Sequence, residues 1–345
     1  MSWYARLAVA LAVGTLGGAV FRILHLPLPW MLGSMTACMI ASMAGLPAAI
    51  PGRLRPFMSS VVGAMLGTTF TTAMIGDLAD LWASLLGLFV FLLVSASCCY
   101  VYLRRAAGFP PMTALFAAMP GGITDIVLMS EERGADERRV ALVHATRIFM
   151  IVLTFPLLLS FLSTVEIGGA RAAMFRGWDS MSPQDFAWFI AAAVGGVWFG
   201  TLVRMPARNL LGPMMVSAAM HMANLTDFVI PSGAVSCAQI VIGSAIGCRF
   251  QGITGRDLLR TIAVAFGSSL LLATISICFA MGLERLTGFS FAALLLAYAP
   301  AGMSEMSLVA LALHVEVPFV VLHQVARIFL AIGVLAILSR WLSKT

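Results

Sequence analysis

Apolar stretches of about 20 residues, the length that crosses the hydrocarbon core of a bilayer, follow one another from Trp3 to Leu342 with short charged turns between them. Such a chain has no way to hide its apolar surface from water. Of its 345 residues 61% are apolar and 10% are charged, whereas a soluble domain carries about a quarter charged residues. Lipid is therefore the expected solvent, and the fold class is an all-α polytopic membrane protein. The longest stretch that is not membrane-like, Ser163–Asp185, is too short and too mixed for a catalytic or DNA-binding domain. The formal net charge of +6 then reports orientation, because cytoplasmic loops retain Lys and Arg. Cys38, Cys98, Cys99, Cys237, Cys248 and Cys278 show neither metal spacing nor a secreted framework and read as small core residues. Arg6 ahead of an apolar run imitates a signal peptide, but the run lacks a cleavage region and a second span follows at once, so it reads as the first helix.

The chain repeats itself. Moved by 180 residues, Pro51–Phe149 aligns with Pro231–Phe329 without a gap. Gly63 and Gly67 fall on Gly243 and Gly247, Asp77-Leu78 on Asp257-Leu258, Gly108-Phe109 on Gly288-Phe289, and Arg147-Ile-Phe on Arg327-Ile-Phe. Pro120-Gly-Gly-Ile-Thr-Asp125 falls on Pro300-Ala-Gly-Met-Ser-Glu305. Charges, Pro and Gly in register mark a duplication, with one membrane repeat over 1–163, a linker over 164–184 and a second repeat over 185–345. Each copy has six apolar segments, and the fifth, near 112–130 and 290–313, is broken by Pro and Gly.

If all twelve segments crossed, Lys and Arg would divide almost evenly between the two faces. If the fifth segment of each copy instead enters and leaves on one side, the balance changes. Fifteen basic residues (Arg6, Arg53, Arg55, Arg104, Arg105, Arg133, Arg138, Arg139, Arg204, Arg208, Arg249, Arg256, Arg260, Arg340, Lys344) then share the cytoplasmic face. Four (Arg22, Arg171, Arg176, Arg285) face outward, and two lie within the membrane. That bias obeys the positive-inside rule. It leaves five crossings per copy plus one broken or re-entrant helix, inverts the second repeat relative to the first, and puts both termini in the cytoplasm. Inverted repeats with paired broken helices are a secondary-transporter architecture.

Of 36 charged residues, four lie well inside apolar segments: Asp125, Arg147, Glu305 and Arg327, two repeat-related pairs. Each costs about 2.5–3.5 kcal/mol at a helix centre. Around Gly121-Gly122 and Gly302 the helix is expected to unwind, freeing carbonyls for a cation and a half-helix N-terminus for an anion. Thr124 and Ser304 add hydroxyls beside Asp125 and Glu305, the candidates for binding H⁺ or Na⁺. His144 lies one turn before Arg147, and His323 with Gln324 one turn before Arg327, so each set shares a helical face. Two readings follow: inward arginines that clamp a solute carboxylate or phosphate, or plain Asp125–Arg147 and Glu305–Arg327 salt bridges that hold the bundle. The GxxxG pairs Gly63/Gly67 and Gly243/Gly247 read as close helix packing.

At Pro-Gly-Gly-Ile-Thr-Asp125, followed by Glu131-Glu132-Arg133-Gly134 and Arg147, the sequence resembles the AbrB membrane-protein family. The resemblance covers nearly the whole chain. It implies a duplicated membrane unit, grouped distantly with sodium/proton antiporters and bile-acid symporters, whose folds carry inverted repeats with broken, crossing helices. The second copy departs from the motif at Ala301 and Glu305. Members of that family carry labels of ammonia monooxygenase or regulator. A copper monooxygenase needs clustered imidazoles, whereas His25, His144, His221, His314 and His323 are scattered. The expected function is an inner-membrane secondary transporter of a small anionic or zwitterionic solute, coupled to H⁺ or Na⁺, with a membrane sensor as the alternative. No enzyme activity, cofactor, metal site or nucleic-acid partner is expected. The expected partners are the lipid bilayer, the solute, the coupling ion and a second copy in a homodimer.

Overall fold

The structure, a computed structural model, describes residues 2–70, 81–121, 123–162, 181–251 and 256–342. The side chains of 123–125, 256–259 and 340–342 lie outside that description, as do Asp77-Leu78 and most of the expected linker. The first copy forms α1 (Trp3–Ile23), α2 (Pro29–Met43), α3 (Leu54–Gly67), α4 (Trp82–Ala106), α5 (Pro111–Ala118), α6 (Ile123–Glu132) and α7 (Glu137–Leu162). The second forms α8 (Pro183–Leu202), α9 (Arg208–Met222), α10 (Ser232–Gly247), α11 (Arg256–Thr287), α12 (Phe291–Tyr298), α13 (Met303–Ala312) and α14 (Val317–Leu342). No strand occurs among the described residues. Among the described residues seven helices are long and apolar enough to cross a membrane: α1, α4, α7, α8, α10 with the 3-10 turn after it, α11 and α14.

The duplication recurs in the secondary structure. Moved by 180 residues, α5, α6 and α7 coincide with α12, α13 and α14 at both ends. The glycines that stop α4 and α11 are left-handed in both copies, with φ 66° at Gly108 and 74° at Gly288. Earlier in the copies the offset is 179: the positive-φ residues His25, Leu28 and Gly45 correspond to Arg204, Ala207 and Asn224. The difference is one extra residue in the second copy, which has 225–230 where the first has 46–50.

The helices sort into two compact units, each drawing on both copies. The first comprises Met1–Asp77, Pro156–Gly252 and Ser307–Pro318. Its helices approach at glycines. A Cβ at Gly33 would fall on the Gly17 carbonyl between α1 and α2, and one at Gly212 on the Gly196 carbonyl between α8 and α9. Both GxxxG pairs serve packing across the copies. Gly63 and Gly67 of α3 meet the carbonyls of Leu210 and Met214, while Gly243 and Gly247 of α10 meet those of Met31 and Met35. Residue numbers rise together in both contacts, so α3 runs parallel to α9 and α10 parallel to α2. Ala49 N–H donates to the Arg6 carbonyl at 3.3 Å, which ties the α2–α3 loop to the start of α1.

The second unit comprises Leu78–Phe155, Ile253–Met306 and Phe319–Thr345. Its two long helices, α4 and α11, are equivalent by sequence and pack antiparallel. Gly87 abuts Leu283, and its equivalent Gly267 abuts Tyr102. Between them Phe91 and Phe279 pack edge to face at 5.5 Å. A buried core of Leu92, Cys99, Phe109, Phe116, Met119, Ile126, Leu272 and Leu335 surrounds the broken segment of the first copy.

Each broken fifth segment is a hairpin of two short helices. At about 1.5 Å per residue, α5 and α12 are roughly 12 Å long and α6 and α13 roughly 15 Å, each near half the hydrocarbon thickness of about 30 Å. Length alone would also suit one crossing; the contacts at the mouth exclude it. The Arg139 guanidinium at the start of α7 lies 5.5 Å from the Phe109 ring just before α5. Asp136 N–H donates to Thr113 Oγ1 at 3.0 Å. The equivalent pair in the second copy, Phe289 and Phe319, stacks at 4.6 Å. Each hairpin thus enters and leaves at one end, and the following long helix starts beside its entry.

Candidate functional site

The second unit gathers the intramembrane charges at the hairpin tips. Pro120 and Pro300 cannot donate a backbone hydrogen bond, and the residues before them, Met119 and Ala299, are extended, with ψ 125° and 122°. The last carbonyls of α5 and α12 are therefore left without helical donors, in a region that excludes water. The arginines supply those donors. Arg147 donates from Nη1 to the Met119 carbonyl at 3.2 Å and from Nη2 to that of Ala117. Arg327 donates from Nη1 to the Ala299 carbonyl and from Nη2 to that of Ala301 at 2.7 Å. Only a planar fork reaches two carbonyls at once, which is a job for Arg and not for Lys. The cation also meets the negative end of a helix dipole.

The residue one turn earlier completes each cap. His144 Nε2 lies 3.0 Å from the Phe116 carbonyl. Gln324, its equivalent at the 180-residue offset, donates from Nε2 to the Leu296 carbonyl at 2.8 Å and to that of Ala297 at 3.3 Å. His144, Arg147, Gln324 and Arg327 are all buried. The first tip approaches α14: a Cβ on Gly121 would stand 3.5 Å from Ala331 Cβ, one turn past Arg327.

Glu305 is the third residue of α13 and fully buried. Its Oε2 accepts from Ser304 Oγ at 2.8 Å, and it folds back so closely that a Cβ on Gly302 would fall on it. A carboxylate in the first turn meets the positive helix end, so acid and base each face the half-helix end of opposite sign. Among the described residues no ion pair joins Arg327 to Glu305; the arginine caps α12 instead. Asp125 is the corresponding third residue of α6; its side chain, that of Thr124, and Gly122 lie outside the described residues.

His323 does not join the tip. Its Nδ1–H donates to the Phe319 carbonyl at 2.9 Å, and its Nε2 shares a hydrogen bond of 2.9 Å with Ser84 Oγ. Tyr298, the last residue of α12, donates to the Ser84 carbonyl. This network belongs to one copy only, since Val143, Val264 and Ala118 occupy the equivalent positions. Sequence reasoning missed Ser84 and Tyr298, which stand in apolar runs with no periodic signal; a phenol two residues before the Pro300–Gly302 break was the only hint. Tyr298→Phe is expected to cost about 1 kcal/mol, read as a lower unfolding midpoint in detergent.

Residues 30–343 match the family model described as "Transition state regulatory protein AbrB". The chain belongs to the AbrB family. It is similar to "Uncharacterized protein YhjN" of Bacillus subtilis (strain 168), with 28% identity across 94% of this chain and 90% of that protein. It is also similar to "Putative regulator AbrB" of Escherichia coli (strain K12), with 25% identity across 90% of this chain and 88% of that protein.

Proposed function

We propose that this AbrB-family protein is an inner-membrane permease that moves a small anionic or zwitterionic solute past the tips of its two re-entrant hairpins. One observation carries the reading: two hairpins, each with arms near half the hydrocarbon thickness, have their tips held by a buried arginine. A buried cation costs about 2.5–3.5 kcal/mol on insertion scales. A continuous helix would satisfy its own carbonyls and need no such cation. Breaking two helices and capping both makes sense where the polar ends serve a solute at mid-depth. Glu305, with Asp125 at the equivalent position, is the coupling site for H⁺ or Na⁺ in this reading. The test is uptake by proteoliposomes under a pH or Na⁺ gradient: movement is expected for the native chain and absent for Glu305→Gln, and full transport by that variant would remove Glu305 from the coupling site.

Inversion of the second repeat is part of the proposal, with both termini cytoplasmic. Its support is the opposed direction of two equivalent helices, α4 against α11. In a background stripped of the six free cysteines, a cysteine at Gly134 should react with an impermeant maleimide from the cytoplasmic side. One at the equivalent His314 should react from the opposite side. Labelling of both from one side would refute inversion.

A membrane sensor is the second reading, favoured by the printed name of the Escherichia coli relative. It would bind solute at the same tips without flux. Neither reading calls for a nucleic-acid partner, a cofactor or enzyme activity.

A further inference from the structure

Two free thiols meet in the first compact unit, one from each copy. Gly247 ends α10 against α2, where a Cβ on it would stand 2.8 Å from Cys38 Cβ and 2.8 Å from the Met39 amide nitrogen. The next residue, Cys248, opens the 3-10 turn Cys248–Phe250, and its thiol and that of Cys38 hydrogen-bond to one another. Cys38 also donates from Sγ to the Ala10 carbonyl of α1 at 3.3 Å. Cys38 is fully buried. Cys248 is partly exposed and precedes the exposed Arg249, a charge that belongs at the water edge of a membrane.

Packing does not ask for thiols here. The equivalent of Cys38 at an offset of 179 is Ser217, and that of Cys248 at an offset of 180 is Thr68. Ser217 donates to the Ala64 carbonyl at 2.7 Å and Thr68 to that of Met65 at 2.8 Å. Two hydroxyls thus serve the α3–α9 contact where the α2–α10 contact holds two thiols. What sulfur offers and a hydroxyl does not is reversible oxidation.

We propose that Cys38 and Cys248 are a peroxide-sensitive dithiol, which closes into a disulfide and clamps α2 of the first copy to the end of α10 of the second. Hydrogen peroxide, small enough to reach a partly buried sulfur, is the oxidant. The Cys248 sulfur attacks one peroxide oxygen and the O–O bond breaks. The thiol proton leaves with the departing hydroxide as water, and Cys248 becomes a sulfenic acid. The Cys38 sulfur then attacks the Cys248 sulfur, the S–O bond breaks, and the Cys38 proton leaves with hydroxide as a second water. Two thiols and one peroxide give one disulfide and two waters, so sulfur is oxidised and peroxide oxygen reduced. A thiol reductant reopens the clamp by exchange. The permease reading has no part in this chemistry.

The experiment treats the purified full chain with hydrogen peroxide, unfolds it, alkylates it with N-ethylmaleimide and maps its peptides by mass. Two of the six thiols should escape alkylation, in a cross-linked peptide that joins Cys38 to Cys248, and dithiothreitol should restore both. The unfolding midpoint should rise by about 5 °C on oxidation, because the bond closes a long loop, and fall back on reduction. Cys38→Ser, a residue that fits the equivalent position, should stop the reaction at a Cys248 sulfenic acid that dimedone traps. Cys248→Thr should leave the buried Cys38 reduced at the same dose. No cross-link after peroxide, a midpoint that does not rise, no dimedone adduct in Cys38→Ser, or oxidation of Cys38 in Cys248→Thr each overturns the proposal.

Discussion

Arg327→Ala is expected to abolish solute uptake and to lower stability by about 2–4 kcal/mol. The variant removes a buried cation, which by itself is favourable, but it strands the Ala301 carbonyl in a site closed to water and leaves that of Ala299 with the Ala301 N–H at 2.8 Å and Gln324 Nε2 at 3.4 Å. A stranded group costs about 1–3 kcal/mol, and the cavity left by the side chain adds to that, so the loss outweighs the relief. Arg327→Lys separates charge from capping. The ammonium keeps the positive charge at the helix end but cannot span two carbonyls, so part of the stability should return while uptake stays low. The measurements are apparent unfolding midpoints in detergent and initial uptake rates. Native stability in Arg327→Ala would mean that the α12 carbonyls find other donors. Arg147→Ala should behave alike, through Met119 and Ala117.

The second large effect separates two neighbouring glycines on α8. A Cβ on Gly196 would land on the backbone of Gly212 and Pro213, whereas one on Gly195 meets nothing within 4 Å. Backbone cannot step aside as a flexible side chain does. Gly196→Ala should therefore force α8 and α9 apart and cost about 3 kcal/mol, seen as poor folded yield. Gly195→Ala should be neutral or stabilising by about 0.5–1 kcal/mol, because alanine holds a helix better than glycine. Equal behaviour of the two variants would contradict the close approach of α8 and α9.

The four intramembrane charges were legible in the sequence because a charge in an apolar segment is costly and therefore conspicuous. The breaks were legible because Pro and Gly act on their own backbone. What those charges touch was not. Helical spacing put His323 and Gln324 together before Arg327, yet Gln324 caps α12 while His323 turns to Ser84, because neighbouring residues on a helix project about 100° apart. Of the two readings left open for the charges, the Glu305–Arg327 salt bridge does not occur among the described residues, where Arg327 instead donates to the carbonyls of Ala299 and Ala301. Ser84 and Tyr298 come from helices more than 200 residues apart, a separation that no local pattern encodes.

The succession of bilayer-length apolar segments determined by itself that this is a helical membrane protein, since burial of apolar surface in lipid and internal satisfaction of the backbone depend on composition and length alone. It also exposed the duplication, because Pro, Gly and charge act locally and recur in register. Only the tertiary structure decided that the fifth segments turn back, through Phe109 with Arg139 and Phe289 with Phe319. Only it set equivalent helices against one another through Gly87 and Gly267, and turned two arginines toward carbonyls. Those outcomes depend on which segment lies beside which, and direction and proximity are properties of packing that a linear chain does not carry.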